Sequence, residues 1–259
     1  MKEPRSVYHL ALDENVVSGA RVALLPGDPK RVEKIASAPP LVPARELADK
    51  REFKTWLAHA GSVPLVVTST GIGGPSAAIA IDELAQLGLR TLVRVGTTGA
   101  IQAHVDVGDV VIASGAVRLD GASSHYAPIE FPAVAHHEVV SALVAAAREL
   151  GVRYHVGVTC STDTFYPGQE RIDSFTGYVP RRFQGATEEW RRLGVLNYEM
   201  EAATLLTLCA CMGLRGGCVA GVVVNRTRGE NITKEDLERG ESNAVAVAAL
   251  AASRLAVAG

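Results

Sequence analysis

A chain of 259 residues is long enough to bury one large α/β core. Its 26 Lys and Arg against 28 Asp and Glu leave a formal charge of −2, which argues against a general nucleic-acid or membrane-surface binder and makes any basic site local. Apolar residues reach 47%, yet no run approaches the ~20 residues of a membrane span, and the opening Met1–Arg5 lacks the apolar core of a signal peptide, so a cytoplasmic protein is expected.

Cys160, Cys209, Cys211 and Cys218 show no C-x-x-C spacing and sit in apolar stretches. All four are expected as reduced, buried small side chains. The histidines offer no H-x-x-x-H pattern, so a structural metal is not expected.

In chain order, Ala20–Leu25 reads as a strand, Pro26-Gly-Asp-Pro29 as a turn and Arg31–Ala36 as a helix. Gly27 and Arg31 then stand at a strand end and a first helical turn, a place suited to an anion. A plain strand-to-helix turn would use the same residues. Arg51–Trp56 alternates like a strand, and Pro64–Thr70 is a clearer one. The turn Gly71-Ile-Gly-Gly-Pro-Ser76 leads into a helix, Ser76–Leu87, with Pro75 at its start and Gly88 closing it. A dinucleotide fingerprint is excluded here, because Ser76 stands where the third glycine should be and Pro75 intrudes.

Thr91–Val93 is apolar, and Arg94-Val-Gly-Thr-Thr-Gly-Ala100 follows as a strand ending in a Gly- and Thr-rich turn. Such a turn can form a nest of N–H groups for an anion, with the Thr97 and Thr98 hydroxyls and the planar Arg94 guanidinium beside it. Val107–Ala113 reads as a strand, Arg118–Ser124 as a loop, Glu138–Leu150 as a helix stopped by Gly151, and His155–Cys160 as a strand. The loop Ser161–Arg171 carries Phe165, which can stack on a planar ring, and Gln169 and Arg171, which can hydrogen-bond its edge. Gly177–Thr187 looks irregular. Val195–Tyr198 reads as a strand feeding a helix, Glu199–Cys209, whose dipole favours carboxylates at its start. Glu201 there could also grip two hydroxyls. Gly217–Val224 is a buried strand ending in Asn225-Arg226-Thr227, Arg228–Glu238 is a polar candidate lid, and Asn243–Leu255 is a closing helix.

No repeat or linker divides the chain, so residues 1–259 form one domain. Alternating strands and helices indicate an α/β sandwich. Its ligand should lie outside the strand ends, where Gly27, Arg94, Phe165, Glu201 and Arg226 converge.

Pro26-Gly-Asp-Pro29, Gly71-Ile-Gly-Gly74, Gly96-Thr-Thr-Gly99, Thr164-Phe-Tyr-Pro-Gly-Gln-Glu-Arg171, Asn197-Tyr-Glu-Met-Glu201 and Asn225-Arg-Thr227 resemble, in matching order, the uridine phosphorylases of the nucleoside phosphorylase-I family. The resemblance implies a three-layer α/β/α sandwich with a central mixed sheet and reversible phosphorolysis of uridine in pyrimidine salvage, with no organic cofactor. It implies a phosphate site of Gly27, Arg31, Arg94 and Thr97, completed by Arg51 of a neighbouring subunit. Ribose would be held by Thr97, Met200 and Glu201 with the neighbour's His9. Uracil would lie against Thr98, Gly99 and Phe165 and be read by Gln169 and Arg171, with Arg226 in support. The resemblance further implies a homo-oligomer, a hexamer built as a trimer of dimers, with a monovalent cation such as potassium near Glu52, Ile72 and Ser76 at the dimer interface. Tyr8 departs from the pattern, which has Phe beside the histidine. Asn225 matches an aspartate of purine-cleaving relatives, and an amide cannot protonate a purine N7. A hydrolytic nucleosidase or a purine nucleoside phosphorylase of the same fold, and a non-catalytic nucleoside sensor, are the alternatives.

Overall fold

The computed structural model describes residues 4–258, so the first three residues of the Met1–Arg5 opening lie outside it. A short ribbon of β1 (Ser6–Val7) and β2 (Leu12–Asp13) precedes the main sheet. There follow β3 (Val22–Pro26), α1 (Arg31–Ala36), β4 (Val42–Lys50), β5 (Phe53–Ala60), β6 (Val63–Thr68), α2 (Gly74–Gln86) and β7 (Thr91–Ala100). The second half comprises β8 (Val110–Leu119), β9 (Ala133–Val134), α3 (His137–Glu149), β10 (Tyr154–Thr162) and α4 (Ala186–Arg192). It ends with β11 (Asn197–Glu199), α5 (Ala202–Cys211), β12 (Arg215–Asn225) and α6 (Lys234–Val257).

The central strands are apolar on both faces because helices cover both. In β3, Val22 and Leu24 join a cluster with Val32 of α1, Leu143 of α3 and Ala248 of α6. Ala23 and Leu25 point the other way, into a cluster with Ile81 of α2 and Leu206 of α5. The result is the expected three-layer α/β/α sandwich around a mixed sheet.

The strand order is β11-β10-β8-β12-β7-β3-β6-β5-β4, with β9 beside β8. One end curls. β11 pairs antiparallel with β7 as well as parallel with β10, so β11, β10, β8, β12 and β7 close into a ring.

This closure corrects the reading of Gly96–Gly99. They form no turn; β7 runs unbroken to Ala100, paired with β12 along its length and with β11 at Gly99 and Ala100. Ladder bonds from two neighbours outweigh the turn preference of glycine and threonine. Arg94 and Thr97 therefore lie within a strand rather than beyond its end, and there is no turn-built nest.

Other boundaries shift for similar reasons. Arg51 and Glu52 are the two-residue turn between β4 and β5, with Arg51 at φ 58°, rather than part of a strand. β8 extends to Leu119, and Arg118, expected in a loop, donates from it to the carbonyls of Ala127, Pro128 and Phe131. Gly177–Thr187 is irregular through Pro180, as expected, then forms a 3-10 turn at Arg181–Phe183 and enters α4 only at Ala186. α6 begins at Lys234, nine residues before its expected start, because the Thr233 hydroxyl accepts the Asp236 N–H at 3.1 Å and caps it. Cys211 is exposed at the end of α5, whereas Cys160, Cys209 and Cys218 are buried. Among the described residues no helix is long and apolar enough to cross a membrane.

Candidate active site

A cavity of about 560 Å³ opens where the ring meets the ends of β3 and β6. A volume of this order suits a ligand of nucleoside size.

One end is basic. Gly27 and Arg31 from the β3–α1 turn and Arg94 and Thr97 from β7 line it. The Gly71 N–H donates to Gly27 O at 3.0 Å, stapling the two turns together. A Cβ on Gly27 would press to 3.1 Å from Gly71 O, so the close approach needs glycine. A Cβ on Gly96 would likewise lie 3.1 Å from Arg94 Nη2, and its absence makes room for the guanidinium.

Arg94 is buried between two carboxylates. Its Nε donates to Glu199 Oε2 at 3.1 Å, and Nη2 forms an ion pair with Glu201 Oε2. Burial alone would lower its pKa, but Glu201 and then Glu199 hold it above the ordinary arginine value. It is a fixed cation.

In the middle stand Met200 and Glu201, not in α5 as expected but just before it. Glu199 sets their position: its Oε2 accepts the N–H groups of Glu201 and Ala202, both at 2.8 Å, and Ser161 Oγ donates to its Oε1. The carboxylates thus divide the work, Glu199 capping the helix and Glu201 facing the cavity. Glu201 Oε1 accepts the Gly73 N–H at 2.5 Å, while Oε2 has no aligned hydrogen bond despite its ion pair with Arg94. Burial raises the Glu201 pKa, Arg94 opposes it, Glu199 adds to it, and the net direction is upward.

The other end is aromatic and amidic. Phe165, Gln169 and Arg171 line it, with the Arg171 guanidinium 4.2 Å from the Phe165 ring centre. Gln169 is buried, and among the described residues its amide has no hydrogen-bond partner. Thr98 and Gly99 are also in the wall. The Thr98 hydroxyl, however, donates to Tyr198 O at 2.5 Å and accepts from Asn197 Nδ2 at 2.7 Å, so it braces β7 against β11.

Five expected positions, Arg226, Arg51, His9, Glu52 and Ser76, lie apart from this wall. Arg226 stands behind it, 5.4 Å from the Tyr198 ring, and its Nε donates to Glu230 Oε1 at 2.6 Å. Glu230 also pairs with Arg171 Nη1. Burial lowers the pKa of both arginines. Arg51 is exposed at its hairpin tip. His9 is held by Glu83, with Nδ1 2.7 Å from Oε1 and the His9 and Leu10 N–H groups donating to the same carboxylate. Glu52 and Ser76 meet each other at 3.1 Å, and Ser76 Oγ also reaches Thr70 O. Their neighbour Ile72 is in the cavity wall.

Asn225 does not face the cavity. Its Nδ2 donates to Gln102 O at 2.9 Å and Val105 O at 2.6 Å, and its Oδ1 accepts both the N–H and the hydroxyl of Thr227. Every hydrogen-bonding position of the amide serves the loop. Sequence reasoning also missed Tyr198, Val223, Val224, Ile232 and Leu237 in the wall. Only the last two carried a signal, as apolar residues within a polar segment.

Residues 21–256 match the family model described as Phosphorylase superfamily. The chain is 57% identical over 249 residues to a uridine phosphorylase of Escherichia coli (strain K12), covering 96% of this chain and 98% of the relative. It is 50% identical over 249 residues to a uridine phosphorylase of Thermococcus kodakarensis, covering 96% and 86%. To a guanosine phosphorylase of Halorubrum lacusprofundi it is 39% identical over 222 residues, covering 85% and 84%. Extent of match and degree of identity agree: this chain belongs to the phosphorylase superfamily.

Proposed function

We propose that the protein catalyses the reversible phosphorolysis of uridine to uracil and ribose 1-phosphate, as a cytoplasmic enzyme of pyrimidine salvage. One observation carries this reading: a single cavity is lined by two arginines and a threonine, by a carboxylate, and by an amide and a guanidinium beside an aromatic ring.

Phosphorolysis breaks the C1′–N1 bond and forms a C1′–O bond to phosphate. The electron pair leaves with the base, whose anion then takes a proton. Positive charge builds on the sugar and negative charge on the pyrimidine, as in an oxocarbenium-like transition state. Arg31 and Arg94 fix the attacking anion, reducing the entropic barrier to its approach. Glu201 Oε2, still able to accept, orients the ribose hydroxyls and lends negative charge beside the cationic sugar. Gln169 and Arg171 donate to the uracil oxygens as charge collects there. Cytosine would present an amino donor to Arg171 in place of an oxygen. No side-chain acid is needed at the base, and Asn225 supplies none.

The relatives named uridine phosphorylase support the pyrimidine; the relative named guanosine phosphorylase makes the purine arm of the test necessary. Uracil release should require phosphate. Cleavage indifferent to phosphate would mean a hydrolytic nucleosidase, faster turnover of inosine than uridine a purine enzyme, and binding without product a sensor.

We also infer a dimer with shared sites, assembled into a hexamer. Arg51 would reach a partner's phosphate and His9 a partner's ribose. The Arg51 backbone supports this: a non-glycine residue at positive φ in a two-residue turn is strained by about 1–3 kcal/mol, and such strain clusters at functional positions. The Ser76 hydroxyl lies within hydrogen-bonding reach of both the Glu52 carboxylate and the Thr70 carbonyl, hard oxygens of the kind a potassium ion takes. Its function there would be to join two subunits.

A further inference from the structure

Arg31 lines the basic end of the cavity, yet its Nε is turned to α6, 2.9 Å from Glu241 Oε2. Lys34 Nζ meets the other carboxylate oxygen at 2.7 Å. The Arg31 and Glu241 side chains are only 18% and 16% exposed, so solvent screens this pair far less than a surface one. Use of Nε leaves the two terminal nitrogens of Arg31 without a partner among the described residues. Those nitrogens form the edge that accepts an oxyanion bidentately.

Glu241 follows the point at which α6 crosses β12 in backbone contact. A Cβ on Gly221 would collide with Gly240 O, and one on Gly240 would lie 2.6 Å from Val222 O. The helix is therefore pinned to the sheet beside Glu241. Before that point, the same stretch supplies Leu237 and Ile232 to the cavity wall. It also supplies Glu230, which pairs with Arg171 and, at 2.6 Å, with Arg226. Guanidiniums at both ends of the cavity thus take their counter-charge from one continuous stretch, Glu230 to Glu241.

We infer that Glu241 is a positioning residue for Arg31, and that through α6 it couples anion occupancy at Arg31 to ordering of residues 228–237 over the base end. The inference rests on the reading of Arg31 as a phosphate ligand. An anion on the terminal nitrogens fixes Arg31 against Glu241 and with it the first turns of α6. The base then meets a wall already ordered, so its binding carries a smaller entropic loss. Linkage makes the effect reciprocal: each ligand raises affinity for the other by the same factor.

The test is calorimetric titration of the whole enzyme with uracil, with and without inorganic phosphate, alongside steady-state kinetics. In the unsubstituted protein phosphate should tighten uracil binding roughly fivefold or more. Glu241→Gln should raise the KM for phosphate roughly tenfold, leave kcat within about threefold, and make uracil binding indifferent to phosphate. Lys34→Met removes the other partner of Glu241, which does not line the cavity, and should preserve both the KM and the coupling. Should Glu241→Gln fail to fold, Glu241→Asp, which keeps the charge one methylene short, is read the same way. An unchanged phosphate KM and undiminished coupling in the Glu241 variant, with the parent enzyme phosphorolysing uridine, would overturn this inference alone. Uridine cleavage by the parent independent of phosphate would overturn the reading of the reaction, and this inference with it.

Discussion

Arg94 donates through Nε to Glu199 at 3.1 Å, and the accepting oxygen is the one that caps α5. A helix terminus and a substrate-facing cation therefore share one acceptor. Glu199→Gln keeps the shape but removes the charge and weakens four hydrogen bonds at once. Breaking a buried ion pair on one side typically costs about 3–5 kcal/mol. The variant should melt markedly lower and lose roughly tenfold to a hundredfold in kcat/KM for phosphate, measured by thermal unfolding and steady-state kinetics. An unchanged melting temperature would show that Ser161 and Arg94 hold the helix start without the carboxylate.

Asn225→Asp should not create a purine enzyme. The amide donates to two carbonyls and lies outside the cavity wall, so a carboxylate there would lose both donors and set its charge against Gln102 O and Val105 O. Unsatisfied buried groups cost about 1–3 kcal/mol each. The expected outcome is a less stable protein with no gain in inosine phosphorolysis, checked by melting and by a phosphate-dependent inosine assay.

Burial, with Glu199 adding its charge, lifts the Glu201 pKa above the ordinary carboxylate value even though Arg94 pulls it down. Only the ionised form pairs with Arg94 while keeping Oε2 an acceptor for the ribose hydroxyls. The kcat/KM for uridine should therefore fall as pH drops through a point above the usual Glu range. Glu201→Gln should lower kcat/KM by on the order of 10²–10³ and flatten that acidic limb. A limb that persists in the variant belongs to another group.

Exposed Arg51 and buried Arg94 stand in different parts of one chain. If Arg51 completes a partner's site, Arg51→Ala and Arg94→Ala should each abolish most activity. Mixing the two after dissociation and reassembly should restore part of it. Absence of recovery in confirmed mixed dimers would count against shared sites.

Glu83 ties the start of the chain to α2 through the N–H groups of His9 and Leu10 and through the His9 ring. Burial works against its charge, but these hydrogen bonds prevail and hold its pKa below the ordinary value. Its stabilisation is present above the unfolded-state Glu pKa of about 4.3 and lost as pH falls through the lower folded value. The melting gap between the parent and Glu83→Gln should therefore narrow as pH falls from about 5 to 3. A gap independent of pH would assign the effect to packing.

The alternation of strands and helices was legible because apolar runs such as Leu24–Leu25 and Val66–Val67 are bounded by glycine and proline. The cavity residues Arg31, Arg94, Gln169, Arg171 and Glu201 were legible through motif order. What was not legible depends on contacts distant in sequence. β7 runs through Gly96–Gly99 only because β12 and β11 pair with it. Asn225 turns away from the cavity because carbonyls more than a hundred residues earlier claim its amide. Glu230 lay within the polar segment Arg228–Glu238 and Glu241 just beyond it, without a local sign of a partner, and only the fold sets them against Arg171 and Arg31. The Thr233–Asp236 cap was the exception: a local signal, overlooked among charged neighbours.

Because β11 bonds to both β10 and β7, the long open margin of the main sheet among the described residues is β4, the two-residue β9 beside β8 being a much shorter one. The β4 margin carries Pro43, two register breaks and the charged residues Arg45, Glu46, Asp49 and Lys50, features that frustrate strand addition by another chain. Copies of this protein should therefore meet through side chains and loop tips rather than by extending one sheet into the next, and crowding alone should not drive them into fibres.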